Sequence, residues 1–400
     1  LLIIEDYTDA LKKCSQCGFC QVACPVFKAK GSENFLARHR LNLIRDVMIE
    51  KTMPDTSRFR EIIGKCMLCT NCAQYCSSGV PVDDIIISAR ARFAENENRF
   101  SSLKRGVMAK LLKDRRVRNI MVMTGTVAQK SGLGSDFPVL NSRPFDERIK
   151  GSIKAHGERK GSVAYYYGCG TNLFYPETGE ALVKLLTHSG YDVVIPENIT
   201  CCGVPMLADG DTGEAAEMMR RNIEALAAIE CDSVLMECSS CILMFMKKSA
   251  KLFPADGPVQ QKITALNLKI RSAMSFINDA IKAPETGTPG RTFTYHVPCH
   301  KQKFSAQEFD VVDLVKKTTG AEYREMENPE SCCGAGGAYY LKNGDVSRKI
   351  RSDKLNEITA SGAEVVLTEC PMCRFYIKNG LPDMDVQHPL EYIAGSVGVK

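Results

Sequence analysis

Apolar and polar positions alternate in two different rhythms along this chain. From about residue 160 onward, short aromatic and β-branched runs are separated by longer segments whose apolar residues recur every three or four positions. Val163–Tyr167 and Phe293–Val297 are such runs, and they read as strands, each leading to a cysteine (Cys169, Cys299). A helical segment follows in each case, Gly179–His188 and Phe309–Thr319, then a turn at Gly190 or Gly320 and a second strand such as Asp192–Ile195. A longer helix starts at Asp211, an N-cap with Glu214 three residues on. Its counterpart starts near Asp345 and stops at Gly362, a residue suited to the C′ position. Ser233–Met236 and Glu364–Leu367 form further strands, each running into Cys-x2-Cys. This strand–helix alternation predicts parallel α/β units, whose ligands gather beyond the carboxyl ends of the strands.

The first 160 residues follow a helical rhythm instead. Phe35, Leu36, Leu41, Ile44 and Met48 mark a helix over Phe35–Met48. Residues 101–160 contain no cysteine. Lys104, Arg105, Lys110, Lys113, Arg115, Arg116 and Arg118 accompany Leu103, Val107 and Leu111 on what reads as one helix. Such a basic helix suits docking to an acidic partner or anionic membrane surface, or is a solvated helix packed on its neighbours. Residues 131–144, rich in Gly, Ser and Pro, read as linker. No apolar run approaches the ~20 residues needed to span a bilayer; Cys241–Met246 stops at Lys247 and Lys248. Leu1 to Tyr7 lacks the basic and long apolar stretches of a signal peptide. These features predict a cytoplasmic protein that reaches a membrane only through a partner.

Composition adds one decisive fact. The 400 residues are 44% hydrophobic and 25% charged with a net charge of +5, ordinary globular values that exclude long disorder and give no reason to invoke nucleic acid. Cysteine, however, occurs 19 times. Most cysteines stand as Cys-x2-Cys or adjacent pairs, which cross-link little, so disulfides fit poorly and metal ligation fits well.

Two groups share one spacing: Cys14, Cys17, Cys20 and Cys24-Pro25, then Cys66, Cys69, Cys72 and Cys76. This is the spacing of two-cluster ferredoxins. A tight loop supplies three corners of a [4Fe–4S] cube, and the fourth comes from the other group. Cys14, Cys17, Cys20 and Cys76 are therefore assigned to one cubane cluster and Cys66, Cys69, Cys72 and Cys24 to the other. Two four-cysteine zinc sites are the alternative, but triple Cys-x2-Cys-x2-Cys runs are unusual for zinc. Ser77 stands where the first group has Pro25, with Pro81 further on, a small departure from the pattern.

The remaining cysteines repeat. Cys169, Cys201-Cys202-Gly203 and Cys238-x2-Cys241 recur as Cys299, Cys332-Cys333-Gly334 and Cys370-x2-Cys373, offset by 130, 131 and 132 residues. Constant offsets mark an internal duplication. Five thiolates per copy exceed what a cube or a zinc ion needs. This motif resembles the cysteine-rich "CCG" domain found in the B and D components of heterodisulfide reductases, in glycolate and lactate oxidase iron–sulfur subunits, and in anaerobic glycerol-3-phosphate dehydrogenase. The order of domains is similar to the D component and the glycolate oxidase subunit over essentially the whole chain. The stretches Arg38 to Ile44 and Cys76 to Pro81 look more like the oxidase branch. The two complete cysteine sets look more like the reductase branch. The resemblance implies a noncubane [4Fe–4S] cluster at Cys169, Cys201, Cys202, Cys238 and Cys241, and another at Cys299, Cys332, Cys333, Cys370 and Cys373. It also implies that a disulfide can be split between two such clusters; zinc in both copies is the alternative.

Eighteen cysteines are thus assigned. Cys231, opposite Ala363 in the other copy, reads as a small buried residue. His300, within His296-Val-Pro-Cys-His300, is a candidate proton donor, an orienting neighbour of a cluster sulfur, or a structural histidine. His39, His156, His188 and His388 read as surface or packing residues, and Met206, Met244 and Met246 as packing. Cys333-Gly334-Ala-Gly336-Gly337 is not a dinucleotide loop, so a flavin belongs on a partner.

The expected fold class is multidomain, α+β with α/β. A helix-rich two-cluster ferredoxin domain (1–100) leads to a helical and linker segment (101–160). The first CCG domain (161–255), a linker (256–290) and the second CCG domain (291–400) follow. The expected function is an iron–sulfur electron-transfer subunit of an anaerobic hetero-oligomeric complex. It would carry electrons from a flavoprotein 2-hydroxyacid dehydrogenase of lactate or glycolate type. The alternative is a disulfide reductase acting at the paired noncubane clusters, with a cytochrome b or heterodisulfide reductase A-like partner.

Overall fold

A computed structural model describes residues 2–95, 99–130, 136–281, 291–301 and 310–398. The N-terminal part is helical. Its helices are short because cysteine loops interrupt them: Phe19–Ala23, Pro25–Lys30, Ala37–Ile44, Ser57–Gly64 and Asn71–Gln74 precede the longer Val82–Glu95. The expected helix over Phe35–Met48 is broken. A 3₁₀ turn, Glu33–Phe35, precedes Ala37–Ile44, and a π turn, Arg45–Ile49, ends it. The apolar residues that predicted it are nonetheless buried: Phe35, Leu36, Leu41 and Ile44.

Two sheets form the C-terminal part. The first has strands β1 (Gly151–Ile153), β2 (Gly161–Tyr165), β3 (Tyr191–Ile195), β4 (Ser233–Met236) and β5 (Ile270–Ser272), in the order β1-β3-β2-β4-β5. Only β1 is antiparallel to its neighbour. The second has β6 (Phe293–Tyr295), β7 (Val365–Leu367) and β8 (Asp385–Gln387), all parallel, with a bridge from Phe293 to Tyr323 standing where β3 stands in the first sheet. The helix Thr212–Ala227 starts at Asp211, whose carboxylate accepts from the Glu214 N–H at 3.1 Å. Gly344–Ser361 ends at Gly362 with φ +66°. The second copy's first helix is Val311–Thr319; Phe309, the expected start, lies outside the described residues.

The first sheet exceeds its expected boundaries. Phe145 and β1 belong to the first sheet's unit, although they fall in the 101–160 segment. The stretch 256–290, expected as linker, carries helix Pro258–Asn267, β5 and helix Ala273–Ala280. A four-stranded sheet leaves the edge of β4 bare without β5, and β5 covers it. One apolar core runs through both units, joining Val163, Leu182 and Leu235 to Phe293, Leu314 and Val365. Helix Pro176–His188 packs on Pro389–Ser396 across this core.

The basic helix expected around 104–118 is two helices, Arg99–Lys113 and Arg115–Lys130. Several of its cations point inward: Lys113 pairs with Glu214 at 2.8 Å, and buried Arg118 pairs with Asp146. The Lys104 side chain lies outside the described residues. Leu103, Val107, Ile120 and Met123 remain exposed. Among the described residues no helix is long and apolar enough to cross a membrane.

Candidate metal centres

The N-terminal cysteines line two adjoining hollows. One is walled by Cys24, Cys66, Cys69 and Cys72; the other by Cys14, Cys17, Cys20 and Cys76, with Cys72 on the shared side. Each loop turns by the same device. Gln16 and Gly18 have φ of +56° and +86°, and Leu68 and Thr70, the corresponding residues of the second loop, have +53° and +65°. These left-handed residues curl the backbone around the space between the cysteines. In the first loop Gly18 meets one of the two needs at no steric cost and Gln16 bears the other; in the second, Leu68 and Thr70 bear both.

Cys24 joins the second loop because it sits at the N-cap of Pro25–Lys30, where its sulfur accepts the Phe27 N–H at 3.4 Å. Pro25 at the first helical position fixes that geometry. Burial pushes the Cys24, Cys69 and Cys72 thiols above their usual values, so thiolates here need a cationic partner. Cys17 is exposed, and the Phe19 N–H holds its thiol low. Arg40 lines the Cys24 hollow; its Nε donates to the Ile62 carbonyl at 3.0 Å, while the buried Nη2 has no partner among the described residues. An orphaned guanidinium N–H facing four thiols fits an anionic iron–sulfur cluster, which would accept it.

In the C-terminal units the cysteines collect at the strand ends. Cys169 lies in the short helix Gly168–Leu173 after β2, and Cys238 and Cys370 are N-caps of the helices Ser239–Leu243 and Pro371–Gly380 after β4 and β7. The sulfurs of Cys169 and Cys201 are 3.2 Å apart, and those of Cys333 and Cys373 3.1 Å. Hydrogen bonds from the Cys201 and Cys241 thiols draw Cys202 down to about 6. Gly203 and Gly334, both at φ +90°, let the turn after the adjacent cysteines pass against the following helix. A methyl on Gly334 would fall 2.6 Å from the Ser347 carbonyl oxygen. Each set of five thiols is therefore gathered in one place, a donor set suited to a multi-iron centre.

The sites adjoin one another. Cys299 and Cys332 of the second unit lie close enough to Cys69 for their charges to act on one another. His300, next to Cys299, donates from Nε2 to the Leu68 carbonyl at 3.3 Å, and its Nδ1 lies 2.9 Å from Ser240 Oγ, inside the first unit's Cys-x2-Cys. It thus touches the ferredoxin loop and both cysteine-rich units. On the other side of that junction, Gly170 lies against Pro371. Cys231 is buried. His388 is buried and caps Pro389–Ser396, its Nδ1 accepting from the Leu390 N–H at 3.1 Å.

Buried ion pairs fix the ferredoxin part in place. Lys248 bonds Asp83 and Asp84, each at 2.5 Å, and Lys251 reaches Asp84. Arg90 donates to the carbonyls of Ala208, Ile63 and Cys66. Tyr339 Oη donates to the Lys65 carbonyl at 3.2 Å. Sequence reasoning missed Arg40, Arg90, His296 and Lys354, all drawn to the sites by tertiary packing. Only His296, three residues before Cys299, carried a local signal.

Ferredoxin-type loops and duplicated five-cysteine units together define an iron–sulfur oxidoreductase subunit. The chain belongs to the family of such proteins built from cysteine-rich domains. Its residues 163–246 and 293–378 match the cysteine-rich domain, and 10–80 match a 4Fe-4S dicluster domain. It is 27% identical to a probable glycolate oxidase iron-sulfur subunit of Bacillus subtilis, over 93% of this chain and 89% of that one. It is 25% identical to one of the subunits of the fumarate reductase (CoM/CoB) of Methanothermobacter marburgensis, over 97% and 73%. It is 31% identical to a lactate utilization protein of a Geobacillus species, over 51% and 85%. The chain binds iron–sulfur clusters, transfers electrons and works as one subunit of a larger complex.

Proposed function

We propose that this subunit takes electrons from a flavoprotein 2-hydroxyacid dehydrogenase of lactate or glycolate type and passes them to a further acceptor. Cys14, Cys17, Cys20 and Cys76 would hold one cubane cluster and Cys24, Cys66, Cys69 and Cys72 the other. The two five-cysteine sets would each hold a noncubane [4Fe–4S] cluster. Bound clusters supply one-electron carriers. The chain's own residues place and insulate them: the left-handed loops shape the hollows, Arg40 offers a buried positive charge, and the interunit ion pairs fix the spacing. The observation that carries the reading is the continuous succession of thiol sites from exposed Cys17, through the shared Cys72 wall, to Cys69 beside Cys299. The relatives' names supply the hydroxyacid. The exposed Leu103, Val107, Ile120 and Met123 support a partner subunit.

One arrangement favours disulfide reduction as a second reading: both cysteine sets are complete, and the two units meet at Ser240–His300 and Gly170–Pro371. There His300 in its imidazolium form would give one proton to a released sulfur and revert to the neutral ring, with two electrons and a second proton completing two thiols from the disulfide. Anaerobic capture of the full chain from its native cells, with mass spectrometry of co-purifying proteins, tests both. A stoichiometric FAD-binding 2-hydroxyacid dehydrogenase is expected. A b-type cytochrome or a heterodisulfide reductase A-like flavoprotein in its place overturns the first reading in favour of the second.

A further inference from the structure

The two cysteine-rich units share a backbone plan but not the residues behind their cysteines. At the position 130 residues before His296 the first unit has Tyr166. Tyr166 is buried, and its hydroxyl is used up: it donates to the Thr200 carbonyl at 2.8 Å and receives Asn222 Nδ2 at 3.4 Å. His296 is just as buried, 1% exposed, yet among the described residues neither ring nitrogen has an oxygen or nitrogen partner, and the Cys333 thiol is the polar group beside it. One of those nitrogens and the sulfurs of Cys333 and Cys373 all lie within 4.8 Å of one another. A buried imidazole N–H without an acceptor costs free energy. The acceptors at hand are the thiolates of the second centre, and Cys333 stands at its middle, 3.1 Å from Cys373.

The surrounding charge differs in the same sense. Where the first unit has Asn222, the second has Lys354, fully buried, bonded to Glu357 at 2.7 Å and to the Asn328 carbonyl at 2.6 Å. Before the Cys-x2-Cys, Glu369 of the second unit is paired with Lys301 at 2.6 Å. Its counterpart Glu237 is buried with Thr171 as its hydrogen-bond donor and, among the described residues, no ion-pair partner. Hydrogen bonds to cluster sulfurs and nearby positive charge both favour the reduced, more negative cluster.

We propose that His296 donates a ring N–H to the Cys333 thiolate of the second cysteine-rich centre and so sets that centre at a higher reduction potential than the first. The inference rests on the reading that both units hold redox-active iron. His296 is a positioning and tuning residue; it leaves the ligand set unchanged. Electrons in the pair of units then settle on the centre beside the ferredoxin loop, the one whose Cys299 and Cys332 lie near Cys69.

The test is a redox titration of the full chain, purified anaerobically with its clusters and followed by EPR. Cys201→Ser and Cys332→Ser identify which signal belongs to which unit. In the wild type the second centre should titrate at the higher potential. His296→Tyr, which copies the first unit's residue, should shift the second centre to more negative potential and leave the first unmoved. His296→Gln keeps an N–H donor and should retain part of the difference. Equal potentials in the wild type, an unchanged second centre in His296→Tyr, or the same shift in both centres would overturn the proposal. A second site without redox-active iron in the wild type is seen before any variant is made, and it removes the underlying reading together with this one. Should His296→Tyr lose its iron, protein labelled with ¹⁵N-histidine decides. A weak nitrogen coupling in the second centre's signal is expected, and its absence overturns the proposal.

Discussion

Replacing Cys69 by serine takes one thiolate from the hollow it shares with Cys24, Cys66 and Cys72, and the purified chain should lose about four iron atoms with the matching EPR signal. Cys231→Ala is the contrasting case: it should keep its iron and change stability by less than about 1.5 kcal/mol. His388 gives a prediction in pH. Burial lowers it from 6.5 to about 4, so below pH 6.5 the unfolded chain takes up a proton that the folded chain refuses. Its contribution is complete above pH 6.5 and is lost as the pH falls toward 4, by at most about 3 kcal/mol. Denaturant unfolding of the wild type at pH 7.5 and pH 5 should show this loss. His388→Asn keeps an acceptor for the Leu390 N–H and should show less of it. At this scale the cysteines were legible because their spacing is local. Arg40 and Lys354 were not, because what makes them matter is the hollow or core that other segments bring to them.

Short elements carry the tightest constraints. Gly203 and Gly334 sit at φ +90°, and an added Cβ would meet Ala215 of helix Thr212–Ala227 at 3.1 Å and Ser347 of helix Gly344–Ser361 at 2.6 Å. Gly334→Ala should therefore lower metal occupancy of its site more than Gly203→Ala does, as read by iron content and anaerobic melting temperature. The packing of Val82–Glu95 against the turn Met244–Lys248 depends on Lys248, 7% exposed, between Asp83 and Asp84. Lys248→Ala removes the buried cation shared by Asp83 and Asp84, leaving Lys251 on Asp84, and should cost about 3–5 kcal/mol in urea unfolding. Lys251→Ala, with its half-exposed side chain, should cost less than about 1 kcal/mol. Elements with strong local signals were readable: Asp211 as a cap, Gly362 as a stop, Ser233–Met236 as a strand. The three-residue strand β5 was not, because Ile270–Ser272 is too short for alternation to show and becomes a strand by pairing with β4.

Across the whole molecule, the order of sites sets an order of reduction. With Cys69→Ser, reductant supplied at the exposed Cys17 end should still reduce the first ferredoxin site, while the C-terminal centres should fill far more slowly in rapid-freeze EPR. Equal rates in wild type and variant would mean that electrons enter the C-terminal units by another surface. The duplication was plain in the sequence, since its offsets barely drift over six landmarks. Contact between the copies was not, because Ser240 meets His300, and Gly170 meets Pro371, through folding alone. That single core through both sheets has a historical consequence. Two like units packed face to face through matching elements have the form of a two-fold homodimer whose halves became joined in one gene. In a homodimer every substitution appears on both sides of the axis at once. Joining the halves removed that constraint, and each could then change alone: histidine against tyrosine at one place, lysine against asparagine at another.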